Sequence, residues 1–490
     1  MQRTDRNLLL AIVGLLIIGL FSALGVMELR GEEPRRALVA LEMVFSGEYI
    51  RPTVHGWNYY NKPPVFNWLI VAGFHLFGSF ANWVVRVPSI VAFLLTGLVN
   101  YWFVRRWINE RVALLSSLFY LTTAHLLLFA TVLSGEMDLL YTLVVYLQAM
   151  VLFMGFQNQR YLGMFLGSYV LMALGFLLKG LPSLPFQGLT LLALIAWHQR
   201  WRLLVDWRHF AGLTVGGVII FSYFWAYSFQ ADPWPFFFNL IEEASKKSAS
   251  ESRLLKIAVH LFEFPLQLFA DLLPWSLLGY FLIRQQAWRH LRENPLVSFS
   301  VLFVLANIWL YWISPGTKSR YHYMFFPFIL IVLAWATDRF SRLQLRTLLW
   351  VGLILAAGRV IYNFTLLPYQ VKTMEASVRY RNIAAETLSL TEGRPVHWAG
   401  GIDCIDIDPS LGPVTLLQSE IWVPPHIPYQ IPFYIARGNG YLFQYDEEPK
   451  SGVFYLAEER FARTHQAEIL RTFPGWEGQN VVLCRFSSKQ

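Results

Sequence analysis

Apolar runs of about 18 or more residues recur along most of this chain, and runs of that length are long enough to cross a bilayer as helices. Of its 490 residues, 55% are hydrophobic and only 15% are charged, against about 25% charge in an ordinary soluble domain. The spans fall at roughly 8–27, 86–104, 112–130, 139–156, 161–178, 182–198, 210–229, 257–283, 295–313, 321–337 and 347–366. This predicts an all-α polytopic membrane protein with about 11–13 transmembrane helices. The run from Leu8 to Val26 lacks a small-residue cleavage site and reads as a retained first span. Residues 65–79 (VFNWLIVAGFHLFGS) are apolar but short. They fit an interfacial helix, a re-entrant piece or half of an extra pair of spans.

The net charge of +8 would suggest nucleic acid in a soluble chain. Here the cations sit in short loops between spans: MQRTDR, RRWINER, QNQR, HQRWRLLVDWRH, RQQAWRHLREN and DRFSRLQLR. All alternate loops on one side are basic, which places that side and the N-terminus in the cytoplasm and excludes a nucleic-acid partner. The C-terminus is then outside the cell membrane, on the periplasmic face if there is an outer membrane. Aromatic residues make up 17% of the chain and suit interfacial belts.

From about residue 370 the pattern changes. VHWAG, PVTLL, GYLFQYD, GVFYLAEE, EILRTF and NVVLCRF are short, β-favouring and separated by Gly, Pro and acids. The chain therefore divides into residues 1–369, a transmembrane domain whose first outer loop spans 28–85, and residues 370–490, a small soluble α/β domain on the outer face. The two cysteines, Cys404 and Cys484, both lie in the second part. They suit a disulfide in an oxidising compartment or two unpaired thiols equally well. DCIDID (403–408) resembles a loose calcium loop without its Gly and distal Glu.

The longest polar break in the first 200 residues is ELRGEEPRRALVALEMVFSGEYIRPTVHGWNYYNKPPVFNW, residues 28–68. It carries Glu32, Glu33, Arg35, Arg36, Arg51, His55, Tyr59 and Lys62. Later outer loops add Glu136 and Asp138, then Lys179, then Glu242, Glu243, Lys246, Lys247 and Arg253, then Lys318, Arg320 and Tyr323. The span 257–283 holds His260, Glu263 and Asp271. Ionisable groups at membrane depth are costly, so each is a functional candidate. Cations from several loops can grip a phosphate, while a carboxylate among them acts as a base. Plainer roles stand beside this one. Glu32, Glu33 and Asp138 can cap helices, Lys179 can snorkel from a helix end, and Lys318 and Arg320 can be interface charges. His260 and Glu263 can form a packing pair.

These segments resemble the GT-C membrane glycosyltransferases. The likeness is to the branch with the lipid A aminoarabinose transferase and the bacterial relatives of the dolichyl-phosphate-mannose protein mannosyltransferases. The resemblance rests on GEEPRRALVALEMVFSGEYIRPTVHGWNYYNKPPVFNWL, SGEMDLLYTL, LLKGLPSLPFQ, LLPWSLL and SPGTKSRYHYMFFP in order, and covers roughly residues 8–340. It implies an inverting transferase that takes a sugar from a polyprenyl-phosphate carrier at the outer membrane face. By position, Glu32 or Glu33 matches the catalytic acid and Asp138 the second-loop acid. The resemblance makes Lys62, Lys179, Lys318 and Arg320 the carrier-phosphate grip, with Arg35, Arg36, Tyr59 and Tyr323 beside the substrates. Some members carry a metal-binding acid just before the KPP element. This chain has Asn61 there, so a divalent metal is left open rather than expected, and no other cofactor is implied. The acceptor is a hydroxyl or phosphate on a lipid A-like glycolipid, another lipid, a glycan or a protein. The competing readings are a flippase for a lipid-linked sugar and a non-catalytic member of the fold. The absence of an inverted repeat speaks against the first, and the retained acids against the second.

Overall fold

A computed structural model describes residues 3–129, 134–246, 253–315, 317–373, 379–400, 427–474 and 480–487. Among them, seven helices are long and apolar enough to cross a membrane: Thr4–Phe21, Asn82–Trp107, Asp138–Gln157, Tyr161–Lys179, Trp207–Ser228, Pro295–Trp312 and Arg342–Thr373. Each falls on an expected span, and the chain is an integral membrane protein.

The other four expected spans are broken or short, for local reasons. The span 257–283 is a pair, Ile257–Asp271 and Trp275–Arg284, bent by 101°. Pro274, between the two, has no N–H to continue the ladder. The span 112–130 stops at Leu121, where Thr122 and Thr123 turn their hydroxyls back onto the Leu118 and Phe119 carbonyls at 2.5 and 2.7 Å. That local bonding competes with helix continuation, and a π-turn, His125–Phe129, follows. The span 321–337 becomes a 3-10 turn, Ser319–Phe325, and a helix, Phe326–Ala336. Ser183–Trp197 is a single helix of 15 residues. Residues 65–79 form the helix Val65–Phe77.

The chain forms two compact units. The first comprises Met1–Leu24, Arg86–Ser228 and Leu240–Leu367. It is a helical bundle held by small residues and buried amides. In GLTVG, Gly212 and Gly216 let Trp207–Ser228 lie close on Tyr161–Lys179. A Cβ at Gly212 would come within 2.7 Å of the Tyr169 ring and 3.0 Å of the Phe165 carbonyl carbon. This is the small-xxx-small logic of membrane helix pairs. The buried Arg359 donates to the Gly19 and Leu127 carbonyls at 3.1 and 3.0 Å, which anchors its guanidinium inside the bundle.

At one end of this unit the expected cytoplasmic loops meet. Arg342 and Arg346 pair with Asp5 at 3.1 and 3.5 Å. Arg111 donates to the Phe340 carbonyl at 2.5 Å, and Asn294 to the Trp107 carbonyl at 3.0 Å. The helix Asp138–Gln157, of 20 residues, runs about 30 Å away from that end. Asp138 is therefore at the opposite end of the unit.

The second unit comprises Gly25–Val85, Phe229–Asn239 and Pro368–Gln490. Its first loop folds as the helix Glu33–Ser46, with Pro34 in the first turn and Gly47 closing it at φ 73°. That helix packs on Val65–Phe77 and on Gln430–Asn439. The Tyr434 hydroxyl accepts from the Leu29 N–H at 3.0 Å, and Glu28 accepts from the Arg381 N–H at 2.7 Å.

A short antiparallel hairpin pairs β1 (Thr53–Val54) with β2 (Trp57–Asn58). A four-stranded sheet contains β3 (Val396–Ala399), β4 (Phe454–Glu458), β5 (Glu468–Phe473) and β6 (Val481–Arg485). Its order is β3-β4-β6-β5, with β3 parallel to β4 and the other pairs antiparallel. Four of the six expected strand segments are these strands. GYLFQYD contributes only an isolated bridge at Tyr445, and PVTLL lies outside the described residues. Cys484 is a free thiol buried beside Tyr455 and Val482, and burial pushes it up to about 12. Cys404 and the 403–408 stretch lie outside the described residues.

Candidate active site

The candidate side chains are carried by both units, each with its own cluster. In the second unit the cluster is built on the start of Glu33–Ser46. Gly31, at φ 60°, turns the chain into the helix. Glu32 occupies the capping position but makes no capping bond. Its carboxylate instead forms an ion pair with Arg35, one turn along the helix. Glu33 is fully buried, and its carboxylate accepts from the Arg30 N–H at 3.0 Å. The acid pair is thus split by environment. The Glu32 side chain keeps 24% exposure while Glu33 has none.

The two arginines point at aromatic rings. The Arg35 guanidinium lies 5.9 Å from both the Tyr59 and Tyr429 ring centres, a cation–π arrangement that favours the charged form. Arg36 donates to the Tyr59 hydroxyl at 2.8 Å, and its own carbonyl accepts from Asn67 at 3.0 Å. Burial pushes the Tyr429 phenol well above its ordinary value, with Arg35 opposing. Beneath this, Glu42 fastens the hairpin. It accepts from the Thr53 hydroxyl at 2.7 Å and from the His55 and Gly56 N–H groups at 2.6 and 3.3 Å. Lys62 is half-buried in the KPP turn just beyond Tyr60, whose carbonyl accepts from Asn239 at 3.0 Å.

In the first unit the cluster gathers at helix ends. Asp138 is the first residue of one helix and Lys179 the last of the next. The Lys179 ammonium meets the Asp138 carboxylate at 2.5 Å, with both side chains buried. It also lies 4.8 and 5.1 Å from the Tyr141 and Tyr321 ring centres. Arg320 donates to Glu136 at 2.6 Å. Lys318 is exposed at the start of the Ser319–Phe325 turn. Asp271 bridges two histidines, with His322 at 2.8 Å and His125 at 3.1 Å, and His125 also meets the Tyr323 hydroxyl at 2.9 Å.

Chemically, the second unit offers a partly exposed carboxylate held by an arginine, and the first offers a buried ion pair, Asp138–Lys179, and a half-buried one, Glu136–Arg320, with an exposed lysine near the latter. His260 bonds to the Tyr311 carbonyl at 3.2 Å while Glu263 is exposed, so the expected packing pair does not form. Among the described residues, no group of three or more His, Cys, Asp or Glu side chains is placed to hold a metal.

Comparison with known proteins bears on these groups. The structure is similar over 98% of its length, and 98% of the other chain, to apo ArnT from Cupriavidus metallidurans, with a TM-score of 0.71 and 18% identity. The same protein bound to undecaprenyl phosphate matches at a TM-score of 0.71 and 19% identity, over 97% of this chain and 98% of that one. The chain has the GT-C fold.

Residues 61–227 of this GT-C chain match the family described as dolichyl-phosphate-mannose-protein mannosyltransferase. The matched segment contains Lys62, Asp138 and Lys179, while Glu32, Glu33, Lys318 and Arg320 lie outside it. An undecaprenyl phosphate-alpha-4-amino-4-deoxy-L-arabinose arabinosyl transferase of Pseudomonas aeruginosa is 30% identical over 300 residues, 59% of this chain and 52% of that protein. The Aeromonas hydrophila protein of the same name is 27% identical over 316 residues, 63% and 56% of the two chains. The GT-C chain thus spans about half the length of the curated relatives it matches.

Sequence reasoning did not single out Tyr429, His125 or His322. Tyr429 has no local signal, because its role comes from lying beside Arg35, far away in sequence. His125 had one: it is an ionisable residue inside an apolar run.

Proposed function

We propose that this chain is an inverting glycosyltransferase that moves a sugar from a polyprenyl-phosphate carrier to an acceptor at the outer face of the membrane. The names of the relatives favour undecaprenyl-phosphate aminoarabinose as donor. The family resemblance favours a lipid A-like glycolipid as acceptor. The observation that carries the reading is the Glu32–Arg35 pair, a carboxylate with 24% side-chain exposure at the start of a buried helix.

In this mechanism Glu32 takes the proton of the acceptor group, a hydroxyl or a protonated phosphate oxygen. The acceptor oxygen bonds to the anomeric carbon from the side opposite the carrier, and the bond from that carbon to the phosphate oxygen breaks. The polyprenyl phosphate leaves with the bonding electrons, so the sugar's configuration inverts. Cations beside the leaving phosphate stabilise the charge it gains. Lys62, which lies in the same unit as Glu32, is assigned that role. Arg35, beside two tyrosine rings, holds the Glu32 carboxylate in place through their ion pair. Glu33 supports the turn through the Arg30 N–H. Lys179 acts by holding Asp138, and Arg36 by holding Tyr59. The soluble part of the second unit, with the C-terminal sheet, belongs on the outer side in this reading.

The test is transfer from undecaprenyl-phosphate aminoarabinose to lipid A in proteoliposomes. Glu32→Gln is expected to cut the rate by about 10²–10⁴-fold, the usual worth of a general base. Glu33→Gln keeps an acceptor for the Arg30 N–H and is expected to lose about tenfold or less. Normal transfer by folded Glu32→Gln protein would remove the base from this account.

A further inference from the structure

A second site lies at the end of the first unit where the basic loops meet, away from Asp138 and Lys179. A cavity of about 620 Å³ opens there, lined by the starts of three helices. Its charged lining is Asp5, Glu110, Arg111, Arg342 and Arg346, and the rest is leucine. Each helix places its charges in the first turn or two and its leucines a turn deeper. Asp5 precedes Leu9, Arg111 precedes Leu114 and Leu115, and Arg346 precedes Leu349. With a rise of about 1.5 Å per residue, Leu9, Leu114, Leu115 and Leu349 lie about 4.5–6 Å further into the bundle than these charges, while Leu345 lies between Arg342 and Arg346. The volume is within the range of about 300–1,000 Å³ of ordinary ligand pockets.

The arginines are engaged but not exhausted. Arg342 and Arg346 share Asp5, and Arg111 pairs with Asp338 at 3.8 Å and the Phe340 carbonyl. Their side chains keep 48%, 39% and 38% exposure. A guanidinium carries five N–H donors, more than these contacts use. The Arg111 Nε and the Asp5 Oδ1 are buried without a hydrogen bond. Beside the cavity, Leu10 is 63% exposed, as a lipid-facing position is.

We infer that this cavity binds one anionic phospholipid, its phosphate on Arg111, Arg342 and Arg346 and an acyl chain along the leucines. The lining has three arginines and two acids, and with their ion-pair partners Asp338 and Arg105 four arginines meet three acids, a net positive charge that favours an anion. The charged-then-apolar order along each helix matches the headgroup-then-chain order of a lipid. Basic pockets between membrane helices on the positive-inside face take such headgroups. A soluble anion would leave the leucine wall unused, and a lipid without net charge would leave the excess positive charge of the cluster unbalanced.

The test uses the full chain in nanodiscs of phosphatidylglycerol and phosphatidylcholine, with lipid retention read by native mass spectrometry. The parent protein is expected to retain phosphatidylglycerol at least tenfold over phosphatidylcholine. Arg342→Gln with Arg346→Gln should abolish that preference. Asp5→Asn, which removes a competing acid without changing shape, should retain phosphatidylglycerol at least as well as the parent, and carries the test should the double variant fail to fold. Equal retention of both lipids by the parent, or loss of retention in Asp5→Asn, overturns the inference. Displacement of the lipid by inorganic phosphate alone would reassign the cavity to a free anion.

Discussion

Glu42 shows how one buried acid in the outer loop can report on the state of the whole site. Burial raises its carboxyl from 4.5 to about 7, against the hydrogen bonds from Thr53 and the Gly56 and His55 N–H groups. Between those two values the folded chain holds a proton that the unfolded chain has released. Its contribution to stability is therefore complete below about pH 4.5 and is lost as pH rises towards 7, by an amount on the order of 3 kcal/mol. Glu28 is raised to about 7 chiefly by burial as well, and acts in the same direction. The measurement is thus a difference: the melting midpoint of the parent minus that of Glu42→Gln, followed from pH 5 to 8. That difference is expected to shrink as pH rises, and a constant difference would show that Glu42 does not titrate in this window. Glu42 also marks a limit of sequence reading. Glu32, Asp138 and Lys179 stood out as charges beside apolar runs and at segment ends. Glu42 sits in the middle of an amphipathic helix, where an acid ordinarily faces water, and only the hairpin folded over it makes it buried. The division between Glu32 and Glu33 was hidden for the same reason, because exposure is set by what packs on the helix and not by its own sequence.

At the scale of elements, the close contact between Tyr161–Lys179 and Trp207–Ser228 depends on hydrogen atoms at two positions. Gly212→Val would push a side chain into the Tyr169 ring and the Phe165 main chain, where a Cβ already has 2.7 and 3.0 Å. Overpacking of this kind costs about 1–3 kcal/mol, so a clear fall in melting midpoint is expected. Gly217 is the internal control. Nothing lies within 4 Å of a Cβ there, and Gly217→Ala should hold or raise stability, since alanine favours a helix by up to about 1 kcal/mol over glycine. The same response from both variants would mean that the helices do not rely on this contact. Span positions were legible because hydropathy over about 20 residues reports immersion directly. Breaks inside spans were not. Thr122 and Thr123 look neutral in a hydropathy window, yet their hydroxyls end a helix, and the turn that follows brings His125 to Asp271. The strands were legible where short β-favouring runs sit between Gly, Pro and acidic residues, as in β4, β5 and β6. The order of the sheet was not, because β3 pairs in parallel with a strand more than fifty residues away in sequence.

For the whole molecule, the decisive question is which side of the membrane each end of the first unit faces. Six basic loops set the expected sidedness, and the contacts of Asp5 with Arg342 and Arg346, Arg111 with Phe340 and Asn294 with Trp107 gather loops from that set at one end. Asp138, Lys179 and the Arg320–Glu136 pair belong to the other end, since each helix that carries one of the first two residues begins or finishes there. Sidedness follows if lysine and arginine are retained in the cytoplasm. It can be measured with single cysteines in a chain whose Cys404 and Cys484 have been replaced. Asn158 and Leu343 are exposed at the basic end, and Lys318 is exposed near Arg320. A membrane-impermeant maleimide added to intact spheroplasts is expected to label Lys318→Cys and to reach Asn158→Cys and Leu343→Cys only after lysis. The reverse pattern would put the Asp138 end in the cytoplasm. A transferase drawing on an outward-facing carrier sugar could not then use it, and the proposed reaction would fail on topology before any question of catalytic residues arose.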